Sequence, residues 1–250
     1  MKKRFGFTLA EVLITLGIIG VVAAMTIPTL IANTNSARFR SQFKKSISTL
    51  SQAGLMAQAQ YDIDYSTPDT GCTSLQDDPD ETYSICAIFN GTLSGHILGA
   101  NPPASRAANG NYNPTVSADY VPTNPAYLSL ADGSLVVFSQ DMTGCHRNID
   151  GSFDGANCVG YIDVNGTTLP NREVSCDGEE QQQQGAGAML VQPAYAEGGG
   201  EGEEEAEEAN NNCFVPNDAR HMTDIFPIRF HDGAVEPASP AARYVLSTSK

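Results

Sequence analysis

The stretch RFGFTLAEVLITLGIIGVVAAMTIPTLIAN, residues 4–33, decides the fold of this chain. Within it, residues 12–32 form an uninterrupted apolar run without a charged side chain. A helix of that length, at about 1.5 Å per residue, spans the ~30 Å hydrocarbon core of a bilayer. A single acid, Glu11, stands at the start of the run, where a carboxylate is costly. The segment therefore predicts a membrane helix in which this acid has a function.

Four features of this N-terminus resemble type IV pilins and the pseudopilins of type II secretion. A short basic leader, residues 1–6, ends in Gly6, and Phe7, Glu11 and Pro28 follow at the spacing of that family. The resemblance implies that a prepilin peptidase cleaves after Gly6 and that the new first residue, Phe7, is N-methylated. It also implies that Glu11 sets the register of assembly and that Pro28 loosens the helix.

The resemblance gives the acid a partner. Cleavage after Gly6 frees an α-amino group on Phe7, which carries positive charge at neutral pH. In the family, the glutamate of one subunit is thought to meet the N-terminal amine of its neighbour, and such an ion pair is tolerated in a tight apolar bundle. In an alternative interpretation, Glu11 lies near enough to the helix end for its carboxylate to reach the lipid headgroups.

An ordinary secretory signal peptide, cleaved after Ala24, is the second interpretation of this segment. The basic head and the apolar run fit it. The continuation of the run past the cleavage point and the early position of Glu11 do not. The two interpretations predict different mature chains, one beginning at Phe7 and the other at Met25.

The helix is predicted to continue beyond the membrane, because apolar residues recur at spacings of four, four, three and four. These residues are Phe39, Phe43, Ile47, Leu50 and Gly54. The pattern predicts one helix over residues 7–61, with a membrane half at 7–32 and an amphipathic half at 33–61 that packs on a globular head. Pro28 predicts a bend or a break, because proline removes a backbone donor.

The head, residues 62–250, is predicted to be loop-rich and to contain a small antiparallel sheet. Alternating runs predict strands at 126–131 and 134–139, joined by a type I′ turn at Asp132-Gly133. A third strand ends near Asp163, and a fourth covers 225–231 before a second Asp-Gly turn. Residues 83–98 fit either a helix or a strand. The fold class is therefore α+β, with the long helix packed on the sheet.

Cysteines supply further constraints on the head. The chain has six of them and no C-x-x-C pair, which favours disulfides in an oxidising compartment over zinc or thioredoxin-like chemistry. Pairing neighbours in sequence gives the simplest of about fifteen connectivities. Those pairs are Cys72–Cys86, Cys145–Cys158 and Cys176–Cys213.

An acidic insert, residues 178–212, lies between the last two cysteines. It contains nine Glu and no Lys or Arg. Such a composition buries too little apolar surface to order itself, so the sequence predicts a disordered loop. A decoration of the filament surface is one interpretation, and neutral variation in loop length is the favoured one.

Calcium is the only cofactor for which the sequence offers candidate ligands. Asp150, Ser152, Asp154 and Gly155 open an EF-hand-like loop, but Tyr161 stands where the closing acid belongs, so that motif fails.

A second candidate site combines Asp163 and Asn165 with Asp224. Some pseudopilins hold calcium in a C-terminal loop, and this resemblance favours a calcium site here. The alternative is that these side chains form Asx turns that bond to the backbone.

The remaining observations exclude other classes of function. A net charge of −15 argues against a nucleic-acid partner, and no catalytic pattern appears. The resemblance implies a structural subunit, anchored once in the inner membrane with its head outside the cytoplasm, that later enters a pilus or a pseudopilus. Its partners would be other pilin or pseudopilin subunits, the prepilin peptidase and an assembly platform. The alternatives are a calcium-stabilised binding or adhesion module on a pilin anchor, and a soluble exported protein.

Overall fold

The structure is a computed structural model that describes residues 8–104, 110, 112–177 and 213–248. The predicted leader with Gly6 and Phe7, and the acidic insert 178–212, lie outside the described residues. The helices are α1 (Leu9–Tyr61), α2 (Ile85–Thr92), α3 (Pro240–Ser247) and a 3₁₀ helix (Ala118–Tyr120). The strands are β1 (Ile97–Gly99), β2 (Pro125–Ser129), β3 (Leu135–Ser139), β4 (Thr143–Arg147), β5 (Phe153–Ala156), β6 (Val159–Asp163), β7 (Ile225–His231) and β8 (Ala234–Pro237).

Helix α1 is the longest element, with 53 residues. It ends at Tyr61, as the sequence predicts, because Asp62 adopts a left-handed conformation with φ 58° and stops the helix. The helix continues without interruption through Pro28. The expected break is therefore not observed, and a bend at that position stays a prediction.

A six-stranded antiparallel sheet forms the centre of the head, in the order β1-β2-β3-β6-β7-β8. The second half of α1 packs against one face of this sheet. Phe43 is fully buried and stacks on Phe226 of β7 with ring centroids 4.2 Å apart, and Leu50 is fully buried one turn beyond Ile47. The predicted fold class, α+β with a long helix on an antiparallel sheet, is confirmed.

Four strands lie close to their predicted positions. The strand predicted to end near Asp163 ends there, and the one predicted at 225–231 has those bounds. The turn between β2 and β3 differs from the prediction, because Gly133 has a positive φ of 89° and Asp132 does not. A type I′ turn needs positive φ at both central residues. Leu130 instead donates its N–H to the Ser134 carbonyl at 2.9 Å, which closes a three-residue loop.

Several described elements go beyond the prediction. Residues 83–98, for which the sequence left a helix or a strand open, contain a helix, α2, followed by the short edge strand β1. The β4–β5 hairpin is made of polar and glycine-rich sequence that lacks an alternating pattern. Helix α3 has ordinary start signals, because Ser239 caps it by accepting the Ala242 N–H and Pro240 follows at the first position.

The sheet is covered on its second face by irregular chain. Tyr112, Val116 and Tyr127 pack there on a small cluster of buried side chains. The cluster consists of Leu135, Val137, Tyr161 and Ile225. The alternation predicted for this strand is wrong: every residue of β3 is buried, and burial on both faces explains its continuous apolar run LVVF.

The end of the described chain is fastened to α1 close to the point where its apolar half ends. Arg40 is only 7% exposed and donates hydrogen bonds to the Asn217 side chain and to the Thr248 hydroxyl. Lys44 donates to the Thr248 carbonyl at 2.8 Å. The basic residues at the base of the head therefore hold the C-terminal segment in place.

We predict that Gly54→Ala destabilises the head by about 1–2 kcal/mol. A Cβ at this position would lie 2.7 Å from the Tyr65 ring and 3.0 Å from the Gly233 carbonyl oxygen. Tyr65 cannot yield, because it is fully buried and its hydroxyl donates to the Leu50 carbonyl at 2.6 Å. Overpacking of about 1–3 kcal/mol exceeds the gain of about 1 kcal/mol in helix propensity.

Denaturant unfolding of the full chain in detergent micelles, followed by near-UV circular dichroism, measures this change. Gly17→Ala is the matched control, because a Cβ at this helical glycine meets no atom within 4 Å. An unchanged or raised stability of Gly54→Ala would contradict the packing described here.

Candidate functional site

The first half of α1 is an apolar rod that stands clear of the head. Leu9–Ile27 has the length and composition of a membrane span, and none of it is buried within the chain. Its 19 residues correspond to about 28 Å of helix, close to the thickness of a bilayer core. Eleven large apolar side chains are exposed along it: Leu9, Val12, Leu13, Ile14, Leu16, Ile18, Ile19, Val21, Val22, Met25 and Ile27.

Glu11 lies in the first turn of this rod and closes a capping box with Thr8. The Thr8 backbone N–H donates to Glu11 Oε2 at 2.8 Å, and the Thr8 hydroxyl donates to the same oxygen at 2.7 Å. In return, the Glu11 N–H donates to the Thr8 hydroxyl at 3.3 Å. Two donors that the helix end would leave unsatisfied are therefore paired within one turn.

The capping box uses only one of the two carboxylate oxygens. Thr8 holds Oε2, whereas no described residue donates a hydrogen bond to Oε1. A carboxylate has about four lone-pair sites, so Oε1 can accept from a further donor. The helix N-terminus thus orients the acid and leaves one oxygen available to a cation outside this chain.

The six cysteines form three disulfides between sequence neighbours. The bonds are Cys72–Cys86, Cys145–Cys158 and Cys176–Cys213. The predicted presence of disulfides is confirmed, and their connectivity is the simplest one. The third bond encloses the segment 178–212 that lies outside the described residues.

The EF-hand-like motif forms the turn of the β4–β5 hairpin. Asp150 accepts hydrogen bonds from the Ser152 N–H at 2.9 Å and from its hydroxyl at 2.7 Å. Asp154 accepts from the Asn148 side chain at 2.8 Å. These oxygens are engaged in the turn. The described part of the chain contains no group of three or more His, Cys, Asp or Glu residues placed to hold a metal ion.

The second predicted calcium site does come together in space. Asp163 ends β6, Asp224 precedes β7, and both are fully buried. The Asn165 N–H donates to Asp163 Oδ1 at 3.3 Å, and its side-chain amide donates to the Leu169 carbonyl at 3.5 Å. The sequence therefore identified three residues that the fold places together.

Each carboxylate oxygen of this pair already accepts a hydrogen bond from the protein. The Tyr112 hydroxyl donates to Asp163 Oδ2 at 3.1 Å. The Asn171 and Arg172 N–H groups donate to Asp224 Oδ2 and Oδ1, each at 2.9 Å. Calcium takes six to eight oxygen ligands, and the side-chain oxygens of Asp163, Asn165 and Asp224 alone are fewer than that. Calcium binding at these residues stays a prediction.

Burial gives the pair unusual protonation behaviour. Removal from water, followed by the neighbouring charge of Asp224, raises the pKa of Asp163 to about 9. Burial also raises the pKa of Asp224, against the opposing effect of the N–H groups of Arg172 and Asn171. Burial therefore favours the protonated form of Asp163 at neutral pH.

Comparison with known protein families gives one result. Residues 1–27 match the family described as the prokaryotic N-terminal methylation motif. This motif is the signature of type IV pilins and pseudopilins, so the resemblance seen in the sequence is confirmed. No curated protein and no solved structure matches the chain.

The motif indicates a class of precursor. It supports a pilin-like or pseudopilin precursor, a structural class and not an enzymatic one. It implies processing by a prepilin peptidase and assembly with other pilin subunits. The motif and the apolar helix together fit an anchor in the inner membrane with an exported head.

Sequence reasoning missed some residues of both sites. The role of Thr8 could have been predicted, because Thr8-Leu9-Ala10-Glu11 is the S/T-x-x-E pattern of a capping box. Tyr112 and Asn171 had none. They reach Asp163 and Asp224 from loops about 50 residues away in the chain, and no local pattern reports such contacts.

We predict that Thr8→Val opens the first turn of α1, whereas Thr8→Ser does not. Valine keeps the shape of threonine but removes the hydroxyl that donates to Glu11 and accepts the Glu11 N–H. Amide hydrogen exchange of the full chain in micelles should accelerate over residues 9–12 in the valine variant alone. Equal exchange in both variants would show that the cap is not what holds Glu11.

Proposed function

We propose that this protein is a type IV pilin-like or pseudopilin structural subunit that polymerises through its N-terminal helix. One observation carries the proposal: an exposed apolar helix begins with an acid that the described residues hold by a single oxygen. The methylation motif over the same residues supports it.

The apolar rod restricts where the subunit can go. Transfer of a large apolar side chain into water costs about 1.5–3 kcal/mol. For the eleven exposed side chains of this rod, the total is on the order of 15–30 kcal/mol. The rod can therefore leave the bilayer only for another apolar surface. The rods of neighbouring subunits provide that surface, and polymerisation is the consequence.

Apolar contact alone permits many axial positions of one helix against its neighbour, and Glu11 then selects one of them. No described residue donates a hydrogen bond to Glu11 Oε1, and cleavage after Gly6 provides a cationic donor at the new N-terminus of an adjacent subunit. Breaking a buried ion pair by removal of one partner is strongly destabilising. Axial shifts that separate the two groups are therefore disfavoured, and Glu11 sets the register.

The subunit passes through several locations and meets a different partner in each. The precursor sits in the inner membrane, where the prepilin peptidase removes residues 1–6 and methylates Phe7. An assembly platform in that membrane then transfers the subunit into a pilus or a pseudopilus made of other such subunits. The disulfides of the head fit an oxidising compartment outside the cytoplasm.

We predict that the mature chain begins at N-methylated Phe7. Expression together with a prepilin peptidase, followed by N-terminal sequencing and intact-mass measurement, checks this. A bulky residue at the cleavage site, Gly6→Val, should leave the leader attached, and Gly6→Ala serves as the mild control. A mature chain that begins at Met25 would instead identify an ordinary signal peptide and contradict the proposed function.

We predict that Glu11→Ala inserts into the membrane normally but enters filaments roughly tenfold less than the unsubstituted subunit, because the register pair is lost. Co-expression of tagged variant and untagged subunits, with quantification in sheared filaments and in membranes, measures both steps.

Two further variants make the test specific. Glu11→Gln keeps the shape and a hydrogen-bond acceptor without the charge, so it should fail like alanine. Thr15→Ala removes a nearby hydroxyl that donates to the Val12 carbonyl within the same helix, so it should assemble normally. Normal incorporation of the Glu11→Ala subunit would refute the role in register.

A further inference from the structure

A cavity of about 340 Å³ lies between the head and the part of α1 just beyond its apolar half. Its polar walls come from three places in the chain. They include Arg38 and Gln42 of α1, Asp132 and Gly133 of the β2–β3 turn, and Asn165 in the segment after β6. One water molecule occupies only about 30 Å³ in the liquid, so the cavity is large enough for a small polar ligand.

Two amide oxygens in the wall of this cavity lack a hydrogen-bond donor. Gln42 Oε1 and Asn165 Oδ1 are both buried, and neither accepts a hydrogen bond from a described residue. The nitrogen of the Asn165 amide is engaged, since it donates to the Leu169 carbonyl at 3.5 Å. A buried acceptor without a donor is unfavourable. The cavity therefore suits a ligand that brings N–H or O–H groups to both oxygens.

The charges around the cavity indicate which kind of donor fits. The Asp132 carboxylate adds negative charge to the wall, although Lys45 pairs with it at 2.9 Å. Arg38 lines the cavity and is exposed, and the described residues offer it no ion-pair partner. An interior of acceptor oxygens beside an unpaired guanidinium fits a zwitterion. Its cationic N–H donors would meet the two amides, and its anionic group would meet the arginine.

The cavity lies close to the membrane. The apolar run ends at residue 32, and Arg38 follows six residues later, about 9 Å further along the helix. The headgroup layer outside the hydrocarbon core is about 5–8 Å thick. Helical side chains tilt towards the N-terminus of their helix, which is the membrane side here, and a long arginine side chain can extend to the interface. A lipid headgroup is therefore a zwitterion within reach of the cavity.

We propose that this cavity binds the headgroup of phosphatidylethanolamine, an inference that rests on the proposed membrane-anchored subunit. The ammonium group of the lipid donates to Gln42 Oε1 and to Asn165 Oδ1, and its phosphate accepts from Arg38. Both buried oxygens then have a donor. The bound lipid fastens the base of the head to the bilayer while the subunit is still in the membrane.

Phosphatidylcholine is the discriminating comparison, because its quaternary ammonium carries no N–H group. The two lipids share the phosphate, so the contact with Arg38 is the same in both. Only the hydrogen bonds to the two amide oxygens are lost. A preference for phosphatidylethanolamine therefore reports on those two oxygens, whereas attraction of the phosphate to a basic surface gives no preference.

The test measures thermal unfolding of the full chain in phosphatidylcholine nanodiscs with and without an equal amount of phosphatidylethanolamine. A calcium chelator is present, because Asn165 is also a predicted calcium ligand. Phosphatidylethanolamine should raise the unfolding temperature by about 2–4 °C, the shift expected when the headgroup concentration exceeds its Kd by about fivefold.

Two variants make this measurement specific. Gln42→Met keeps the length of the side chain and removes the acceptor, so it should abolish the shift. In phosphatidylcholine alone it should be at least as stable as the unsubstituted chain, because it removes a buried acceptor that has no donor. Gln52→Met changes an exposed glutamine of the same helix. It should keep the shift, and it thereby controls for general effects of phosphatidylethanolamine on the bilayer.

A second measurement needs no substitution. Native mass spectrometry of the unsubstituted chain, released from nanodiscs with equal amounts of both lipids, should show at least about tenfold more bound phosphatidylethanolamine than phosphatidylcholine, because hydrogen bonds from a charged donor are lost with the latter.

Three results would overturn the proposal. Equal retention of the two lipids, or equal unfolding temperatures with and without phosphatidylethanolamine, would leave water as the occupant of the cavity. An equally large shift from free phosphoethanolamine added to phosphatidylcholine nanodiscs would assign the site to a soluble ligand. A chain that does not insert into nanodiscs would contradict the proposed function as well, whereas an inserted chain without lipid preference contradicts this site alone.

Discussion

A carboxylate at the first turn of an otherwise apolar helix is the constraint on which the rest of this molecule depends. Apolar contact is not directional, so a smooth rod could slide along its neighbours without much change in energy. In the proposed filament Glu11 removes that freedom, because its buried charge requires a cation. The capping box with Thr8 keeps the acid oriented while the subunit is alone.

One continuous helix transmits this constraint to the head. Leu9–Ile27 is not buried within the chain, whereas the second half of the helix buries Phe43, Ile47 and Leu50 against the sheet. The close approach of Gly54 to Tyr65 and to the β7–β8 turn fixes the far end of the contact. Any register set between the apolar halves therefore also sets how neighbouring heads are spaced.

The elements that the sequence predicted are those with a periodic or motif signal. The end of α1 at Tyr61, the strand 225–231 and the end of β6 at Asp163 follow from hydrophobic spacing and turn residues. The acid at position 11 and the pairing of neighbouring cysteines could also be predicted from the sequence. The β4–β5 hairpin could not be predicted, because its strands are short and polar. The loop residues that donate hydrogen bonds to Asp163 and Asp224 could not be predicted either, since Tyr112 and Asn171 reach these acids only in the folded head.

The most direct test of the central claim is the distance between Glu11 and the N-terminus of a neighbouring subunit in assembled filaments. Filaments are built from a mixture of subunits labelled with carbon-13 at the Glu11 carboxyl and subunits labelled with nitrogen-15 at the amine of Phe7. Solid-state NMR should then detect a dipolar coupling that corresponds to an ion-pair distance of about 4 Å or less. Filaments that show no coupling between differently labelled subunits would contradict the account.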